Sequence, residues 1–174
     1  MVRVTISGTP GSGKTTVAKI LSQKKNLLYV YSGDIFRNLA KQYDMSLEEF
    51  GKYCQTHPEV DKELDDKQLQ FLQQDNILVE GRLAGWLAHN HKIPAIKVFI
   101  TADEPIRAQR IAQREGGASN KQKRQLQQRQ DSEAQRYKTY YDIDITDVSI
   151  YDLVVDSSEK TAEQIAEMIC ICLP

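Results

Sequence analysis

The chain has 174 residues, a formal net charge of −1 and 27% charged residues. These values predict a single domain that can bury a sizeable core, and they exclude a globally basic nucleic-acid-binding protein and an acidic disordered chain. The sequence has no apolar run long enough to span a membrane and no secretory signal before its first predicted strand. We therefore expect a cytoplasmic protein, by default a monomer, without a membrane or nucleic-acid partner.

The first feature in chain order is a strand followed by a glycine-rich loop. Four of the five residues 2–6 are β-branched and predict a strand, and a helix with apolar spacing is expected to run to about Lys25. Glycines let the loop between them turn its N–H groups towards a polyphosphate at the start of that helix. The loop matches the pattern G-x-x-x-x-G-K-[ST], and with the next residue it predicts ATP binding by Gly8, Thr9, Pro10, Gly11, Ser12, Gly13, Lys14, Thr15 and Thr16. Lys14 is expected to reach the β- and γ-phosphates, and the Thr15 hydroxyl to bind Mg²⁺.

An acidic, helical segment follows a second strand predicted over residues 27–31. Between residues 45 and 75, Ser46 begins a capping-box pattern, and Pro58 marks a second helix start. Two helices in this place predict a small mobile insert over one side of the site.

Charged residues stand at the end of the third predicted strand, where open α/β sheets bind ligands. The strand over residues 77–79 is followed by Glu80-Gly81-Arg82. Glu80 is expected to face the metal, directly or through water, and Arg82 the substrate.

The second half of the chain is rich in basic residues. Residues 107–138 contain nine basic and three acidic side chains, which indicates an anionic ligand. Residues 119–138 are polar and helical, and we interpret this excursion as a lid rather than a solvated helix. A fourth strand is predicted over residues 95–100, a fifth over 152–155 and a closing helix over 161–173. The alternation of strands and helices predicts an α/β fold with a parallel sheet covered on both faces.

The cysteines predict no disulfide and no metal site. Cys54, Cys170 and Cys172 are an odd number in a protein expected to be cytoplasmic. The segment 170–172 is interpreted as buried apolar filling near the C-terminus.

Phosphoryl transfer requires positive charge around the moving group more than it requires a general base. A phosphate monoester acceptor has a second pKa of about 6, so its attacking oxygen is largely anionic at neutral pH. The absence of a convincing base, of a glutamine that could orient water and of a guanosine-specific N-K-x-D motif therefore favours a kinase with a phosphorylated acceptor over an ATPase or a GTPase.

Four further motifs accompany the P-loop. They are Ser32-Gly33-Asp34-Ile35-Phe36-Arg37, Val79-Glu80-Gly81-Arg82-Leu83-Ala84-Gly85-Trp86, Arg110-x-x-x-Arg114 and Arg129-x-x-x-Glu133-x-x-Arg136-Tyr137. With them, residues 1 to about 158 resemble the nucleoside monophosphate kinases, most closely the short archaeal-type cytidylate kinases. The resemblance implies a three-layer α/β/α P-loop kinase fold with five parallel strands. It also implies one domain, 1–174, with an insert for the monophosphate nucleotide at about 34–75 and a lid at about 115–130.

The resemblance also implies an activity, transfer of the γ-phosphate of Mg-ATP to CMP or dCMP, and a set of roles. ATP would be held by the P-loop, with Arg110 and Arg114 at the donor adenine and phosphates. The monophosphate nucleotide would be bound by Ser32, Gly33, Asp34, Arg37, Gly81, Arg82 and Glu133. The residues that act on the transition state would be Lys14, Arg82, Arg129 and Arg136, and Mg²⁺ would be held by Thr15 and Glu80. Many family members carry Asp in place of Glu80, and for this side chain, which is one methylene longer, contact with the metal through water is expected.

Base specificity is left open by these residues. Asp61, Asp65 or Asp66 in the insert could read the cytosine amino group, but each is expected to be a solvated helix charge. Other acceptors, such as AMP, shikimate or dephospho-coenzyme A, are alternatives, as are a P-loop ATPase and a nucleotide-binding module without catalysis.

Overall fold

The computed structural model describes residues 1–115 and 119–173, and within these ranges the side chains of residues 48, 115, 119–126, 128, 129 and 132 are not described. Over this part of the chain, strands and helices alternate as the sequence predicts. The elements are β1 (Arg3–Gly8), α1 (Lys14–Lys25), β2 (Leu28–Tyr31), α2 (Ser32–Gln42), α3 (Leu47–Cys54), α4 (Pro58–Leu72), β3 (Ile77–Glu80), α5 (Ala84–Asn90), β4 (Ile96–Thr101), α6 (Glu104–Glu115), α7 (Ser119–Tyr141), β5 (Leu153–Asp156) and α8 (Ala162–Cys172).

The five strands form one parallel sheet in the order β2-β3-β1-β4-β5, which confirms the predicted α/β fold. β1 lies at the centre, with Ile6 opposite Glu80 of β3 on one side and opposite Val98 of β4 on the other. β2 and β3 lie on one side of β1, and β4 and β5 lie on the other, so the connections run to both sides of β1. Ligands of open parallel sheets bind at the carboxyl ends of the strands beside such a switch point. The loop after β1 and the residues after β3 therefore share one edge of the sheet.

Successive residues of a strand point to opposite faces of the sheet. Both faces of this sheet carry apolar side chains, and helices cover both. Leu78 lies in a core with α1 and α8, whereas Ile77 and Val79 lie in a second core with α4 and α5. All three side chains are fully buried. The layers are therefore helix, sheet and helix, and Glu80 extends β3 as a carboxylate that is only 2% exposed.

The helices between β2 and β3 begin where the sequence predicts. Ser46 and Glu49 form a capping box at the start of α3, with the Glu49 amide donating to Ser46 Oγ at 3.3 Å. Pro58 occupies the first turn of α4. Leu39, Phe50 and Val60 are buried in a core of their own between these helices.

α7 confirms the helix predicted over the polar excursion, and its C-terminal end packs more closely than its composition indicates. Tyr137 and Tyr141 contact the core beside β3, and the Tyr140 hydroxyl donates to the Gln55 carbonyl at 2.8 Å. The lid is predicted at about residues 115–130. Residues 116–118 of this range lie outside the described residues.

The C-terminal helix corrects one expectation. α8 packs Ile165, Ala166 and Ile169 on the sheet, so residues on its other side face solvent. Ile171 is 83% exposed and Cys172 is exposed as well, so the interpretation of this segment as buried filling is wrong for both; Cys170 is half-buried against the core. Among the helices the structure describes, none is both long and apolar enough to cross a membrane.

Candidate active site

The P-loop is held against the sheet by its own backbone. Gly8 packs so closely that a Cβ on it would lie 1.9 Å from the Ile100 carbonyl oxygen, and the Thr9 amide donates to that oxygen at 3.1 Å. Gly13 has a φ of 86° at the N-cap of α1, a conformation that glycine adopts without strain. These two positions let the loop turn directly from β1 into the helix.

Lys14 lies inside the loop, and no carboxylate of the described residues forms an ion pair with it. Its Nζ donates to the Thr9 carbonyl oxygen at 2.7 Å. Burial, followed by the nearby Arg82 guanidinium, lowers the pKa of Lys14 to about 7. An anion bound in the loop would oppose both effects, since opposite charge favours the protonated amine.

Oxygen donors suited to Mg²⁺ meet at the start of α1. Thr15 Oγ1 donates to Glu80 Oε1 at 2.7 Å, and the Tyr29 hydroxyl donates to Glu80 Oε2. Mg²⁺ binds hydroxyl and carboxylate oxygens in proteins. A protein usually supplies only one or two of these ligands, and substrate phosphates and water supply the others. No group of three or more His, Cys, Asp or Glu is placed to hold a metal within the described ranges. The residues present therefore fit an ion that is carried largely by a nucleotide.

Arg82 joins three parts of the site. Its Nη1 donates to the Gly8 carbonyl at 3.0 Å, and its Nε donates to Glu133 Oε2 at 2.8 Å. The guanidinium thus lies between the P-loop, the end of β3 and α7. Two residues predicted from separate motifs to bind the acceptor are thereby brought into contact.

Arginines of α6 contact the other side of the P-loop. Arg110 donates to the Ser157 hydroxyl at 3.0 Å and to its carbonyl at 2.9 Å, and Ser157 Oγ donates to the Ser12 carbonyl at 2.8 Å. The Arg107 guanidinium lies 3.4 Å from the Pro10 carbonyl oxygen. Arg114 lies one turn beyond Arg110, at the end of α6. Arg110 is therefore linked to the loop through Ser157, and its role in binding the donor stays a prediction.

The predicted acceptor residues line the start of α2 and the end of β3. Arg37 Nη1 pairs with Asp34 Oδ1 at 2.8 Å, and both side chains are about half exposed or more. A Cβ on Gly33 would meet the Tyr31 ring at 2.5 Å. A Cβ on Gly81 would lie 2.6 Å from Ser32 Oγ, so the Ser32 side chain packs directly against the Gly81 backbone.

The acids of α4 correct the sequence interpretation. Asp61 and Asp65 are 4% and 6% exposed, so they are not solvated helix charges, whereas Asp66 is exposed as predicted. Arg136 Nε lies 3.4 Å from Asp61 Oδ2. Burial raises the pKa of both carboxyls, that of Asp65 to about 7. The C-terminal half of α7 covers this face of α4, which the polar sequence of α7 did not indicate.

Arg129, the other arginine of α7 predicted to be catalytic, cannot be placed relative to Asp61 as Arg136 can. It belongs to α7, seven residues before Arg136, but its side chain lies outside the described part of the chain. Its catalytic role stays a prediction.

Three contacts in the site were missed from sequence. Tyr29, Ser157 and Gln68 were not singled out, yet they contact Glu80, Arg110 and Asp65 respectively. Ser157 follows the carboxyl end of β5, which was a usable signal. Gln68 lies at helical spacing from Asp61 and Asp65, which was another.

The parallel sheet and the P-loop at its carboxyl edge define a nucleotide-binding P-loop protein. Residues 3–159 match the model of the cytidylate kinase-like family. The chain belongs to this family, which confirms the resemblance seen in its motifs.

Relatives of known name match the chain over nearly its full length. It is 41% identical to the cytidylate kinase of Methanococcus aeolicus over 167 residues, 95% of this chain and 94% of the relative. The cytidylate kinase of Methanocaldococcus jannaschii matches with the same identity and the same coverage of both chains. A solved shikimate kinase from Bacteroides thetaiotaomicron has a TM-score of 0.66 at 13% identity, covering 98% of this chain and 97% of its own, and this likeness shows the fold alone.

Proposed function

We propose that the chain is an ATP:CMP phosphotransferase, which transfers the γ-phosphate of ATP to CMP or dCMP and releases ADP with CDP or dCDP. The observation that carries this proposal is the position of Arg82, whose guanidinium spans the Gly8 carbonyl of the P-loop and Glu133 of α7. Negative charge develops on the transferred phosphoryl group between the donor and the acceptor. A cation placed between the P-loop and the residues predicted to bind the acceptor would stabilise that charge. The names of the relatives at 41% identity support CMP as the acceptor.

The donor is held by the P-loop backbone and Lys14. Bound phosphates would accept hydrogen bonds from loop amides and would take over the Lys14 ammonium from the Thr9 carbonyl. Arg110, fixed by Ser157, stands beside Gly13 and would lie along the same nucleotide.

The acceptor is held by the residues after β2 and β3. Arg37 and Arg82 would bind its phosphate from two sides, and Gly81, which has no side chain, would let the nucleotide approach the end of β3. No base is needed because the attacking phosphate oxygen is already anionic at neutral pH. Arg129 and Arg136 would add charge that is matched to the transition state.

Mg²⁺ is the proposed cofactor, with Thr15 and Glu80 as the residues that would hold it, and when bound it neutralises charge on the β- and γ-phosphates. Tyr29 donates to Glu80 and fixes the second carboxylate oxygen. The cytoplasmic location and the monomeric state stay predictions from the sequence.

The experiment that tests this function measures ADP formation from Mg-ATP with CMP, dCMP, UMP, AMP, shikimate or no acceptor. We expect fast turnover with CMP or dCMP and little without an acceptor. Comparable turnover without any acceptor would overturn the kinase assignment. A preference for AMP would keep the mechanism and overturn the base specificity.

A further inference from the structure

The face of α4 that approaches the end of β3 carries a buried polar stripe. Asp61, Asp65 and Gln68 are 4%, 6% and 3% exposed, and their spacing puts them on one side of the helix. Buried polar groups in native proteins almost always have hydrogen-bond partners. Gln68 Oε1 has none within the part of the chain that the structure describes. A buried acceptor without a partner points to a ligand that donates to it.

Asp65 determines which end of the Gln68 carboxamide faces Gly81 at the end of β3. Gln68 Nε2 donates to Asp65 Oδ1 at 3.2 Å, and above about pH 7, where Asp65 is ionised, its carboxylate can only accept. The amide nitrogen is therefore held against Asp65. The carboxamide oxygen points the other way, 2.8 Å from the place that a Cβ on Gly81 would occupy, and Ser32 Oγ lies 2.6 Å from the same place.

The chemistry of the acceptor nucleotide limits what can donate to this oxygen. Its phosphate is ionised and accepts hydrogen bonds, so the donor must belong to the nucleoside. Cytosine carries an exocyclic amino group at C4, where uracil carries a carbonyl oxygen. A carboxamide oxygen beside a carboxyl group attracts the amino group and repels the carbonyl, which gives both attraction to the right base and rejection of the wrong one.

We propose that Gln68 selects the acceptor base by accepting a hydrogen bond from the 4-amino group of cytosine, and that Asp65 is the positioning residue that orients it. This assignment rests on the proposed transfer of phosphate to CMP. It names a specificity residue in the insert that none of the sequence motifs contains.

The test pairs a change in the protein with a change in the substrate. kcat/KM is measured at about pH 8 for CMP, dCMP, UMP and zebularine 5′-monophosphate, a pyrimidine nucleotide with hydrogen at C4. The proteins are the wild type, Gln68→Met, Asp65→Asn and, as a matched control, Gln70→Met, which changes an exposed glutamine of the same helix. Thermal unfolding of each protein checks that it is folded.

We expect the wild type to prefer CMP to the zebularine nucleotide by about tenfold or more, since the site is left with an unpaired polar group when the donor is missing. Gln68→Met should abolish most of this preference by slowing CMP alone, and should change the zebularine nucleotide by less than about twofold. Asp65→Asn should lower the ratio of kcat/KM for CMP to kcat/KM for UMP, because the Gln68 carboxamide would no longer be held by a carboxylate and could turn its nitrogen towards Gly81. Gln70→Met should keep the wild-type ratios.

Equal losses for CMP, UMP and the zebularine nucleotide in Gln68→Met would overturn the assignment and show a structural role. A change in the CMP to dCMP ratio instead would also overturn it, because Gln68 would then read the ribose. If Gln68→Met does not fold, an unchanged CMP to UMP ratio in Asp65→Asn overturns the proposal, and a lowered ratio supports it. Absence of CMP turnover in the wild type would overturn the proposed function itself, which the other outcomes leave intact.

Discussion

Lys14 is a buried amine whose neighbours include the Arg82 guanidinium and the Thr9 carbonyl. Its pKa of about 7 follows first from burial and then from Arg82. Because the unfolded chain keeps this proton up to a pKa near 10.5, the nucleotide-free protein is destabilised by Lys14 below that value and fully so below about 7. A bound polyphosphate would raise the pKa again.

We therefore expect nucleotide binding to take up close to one proton at about pH 8 and much less at about pH 6. At the higher pH the free protein holds Lys14 mostly neutral, and the bound phosphates favour the charged form. Calorimetric titration of ADP in buffers with different ionisation enthalpies measures the uptake. Lys14→Arg is the control, since arginine stays charged and should show no uptake. Equal proton uptake in the wild type and in Lys14→Arg would contradict the assignment.

Gly81 tests how closely the acceptor approaches the backbone. In Gly81→Ala the new methyl group would lie 2.6 Å from Ser32 Oγ and 2.8 Å from Gln68 Oε1, so these side chains must move into the space proposed for the nucleotide. We expect KM for CMP to rise on the order of tenfold, with KM for ATP changed less than about twofold. Steady-state kinetics with each substrate varied in turn measures both.

Gly51→Ala is the matched control for that change. Gly51 lies in α3, and a Cβ there meets nothing within 4 Å. Alanine is favoured over glycine in a helix by about 0.5–1 kcal/mol, so this variant should be slightly more stable and kinetically unchanged. A similar rise in KM for CMP in both variants would show that the effect of Gly81→Ala is not local.

At the scale of elements, the contact between α4 and α7 is held by charges that are taken out of water. Arg136 and Asp61 are 14% and 5% exposed in their side chains and lie 3.4 Å apart at Nε and Oδ2. Removing one member of a buried pair leaves the other uncompensated, at a cost of about 3–5 kcal/mol. Arg136 therefore has a structural role besides the catalytic role predicted from the motif.

The two roles can be separated by a double variant. We expect Arg136→Ala to lower both kcat and Tm, with ATP binding affected far less than turnover. Adding Asp61→Asn removes the unpaired carboxylate and should restore much of the Tm but not kcat. Recovery of kcat together with Tm would show that Arg136 acts only through the packing of α4 and α7. Arg129→Ala is expected to lower kcat in the same way.

At the scale of the whole molecule, the two proposed nucleotide sites lie on opposite sides of the P-loop. α6 contacts the loop through Arg107 and Arg110, whereas the insert reaches the site through α2 and α4. In the proposed reaction, residues from both sides would have to surround the transferred group to exclude water from it. Closure of both sides is thus expected only when both nucleotides are bound.

Hydrogen exchange measures that closure. We expect ADP with CMP, or a bisubstrate analogue, to slow amide exchange in α3 and α4 more than either nucleotide alone, with little change in the buried sheet. Addition of a nucleotide that the enzyme does not phosphorylate is the control. Full protection of α3 and α4 by ADP alone would contradict an insert that closes on the acceptor.

Local patterns predicted the elements because each depends on residues that are close in sequence. The P-loop pattern, the capping box at Ser46 and the proline at the start of α4 were sufficient for the loop and two helix starts. Alternation along the chain gave the α/β class, and the motifs gave the family.

The sequence by itself determined the phosphate-binding loop, the α/β class of the fold and the family, since each depends on residues that are contiguous in the chain. Only the tertiary structure decided that Tyr29 fixes Glu80, that Arg82 pairs with Glu133 and that Asp61 and Asp65 are buried. Each of these contacts joins different elements. The polar composition of α7 predicts exposure on its own, and burial of α4 follows only from the way the chain brings the two helices together.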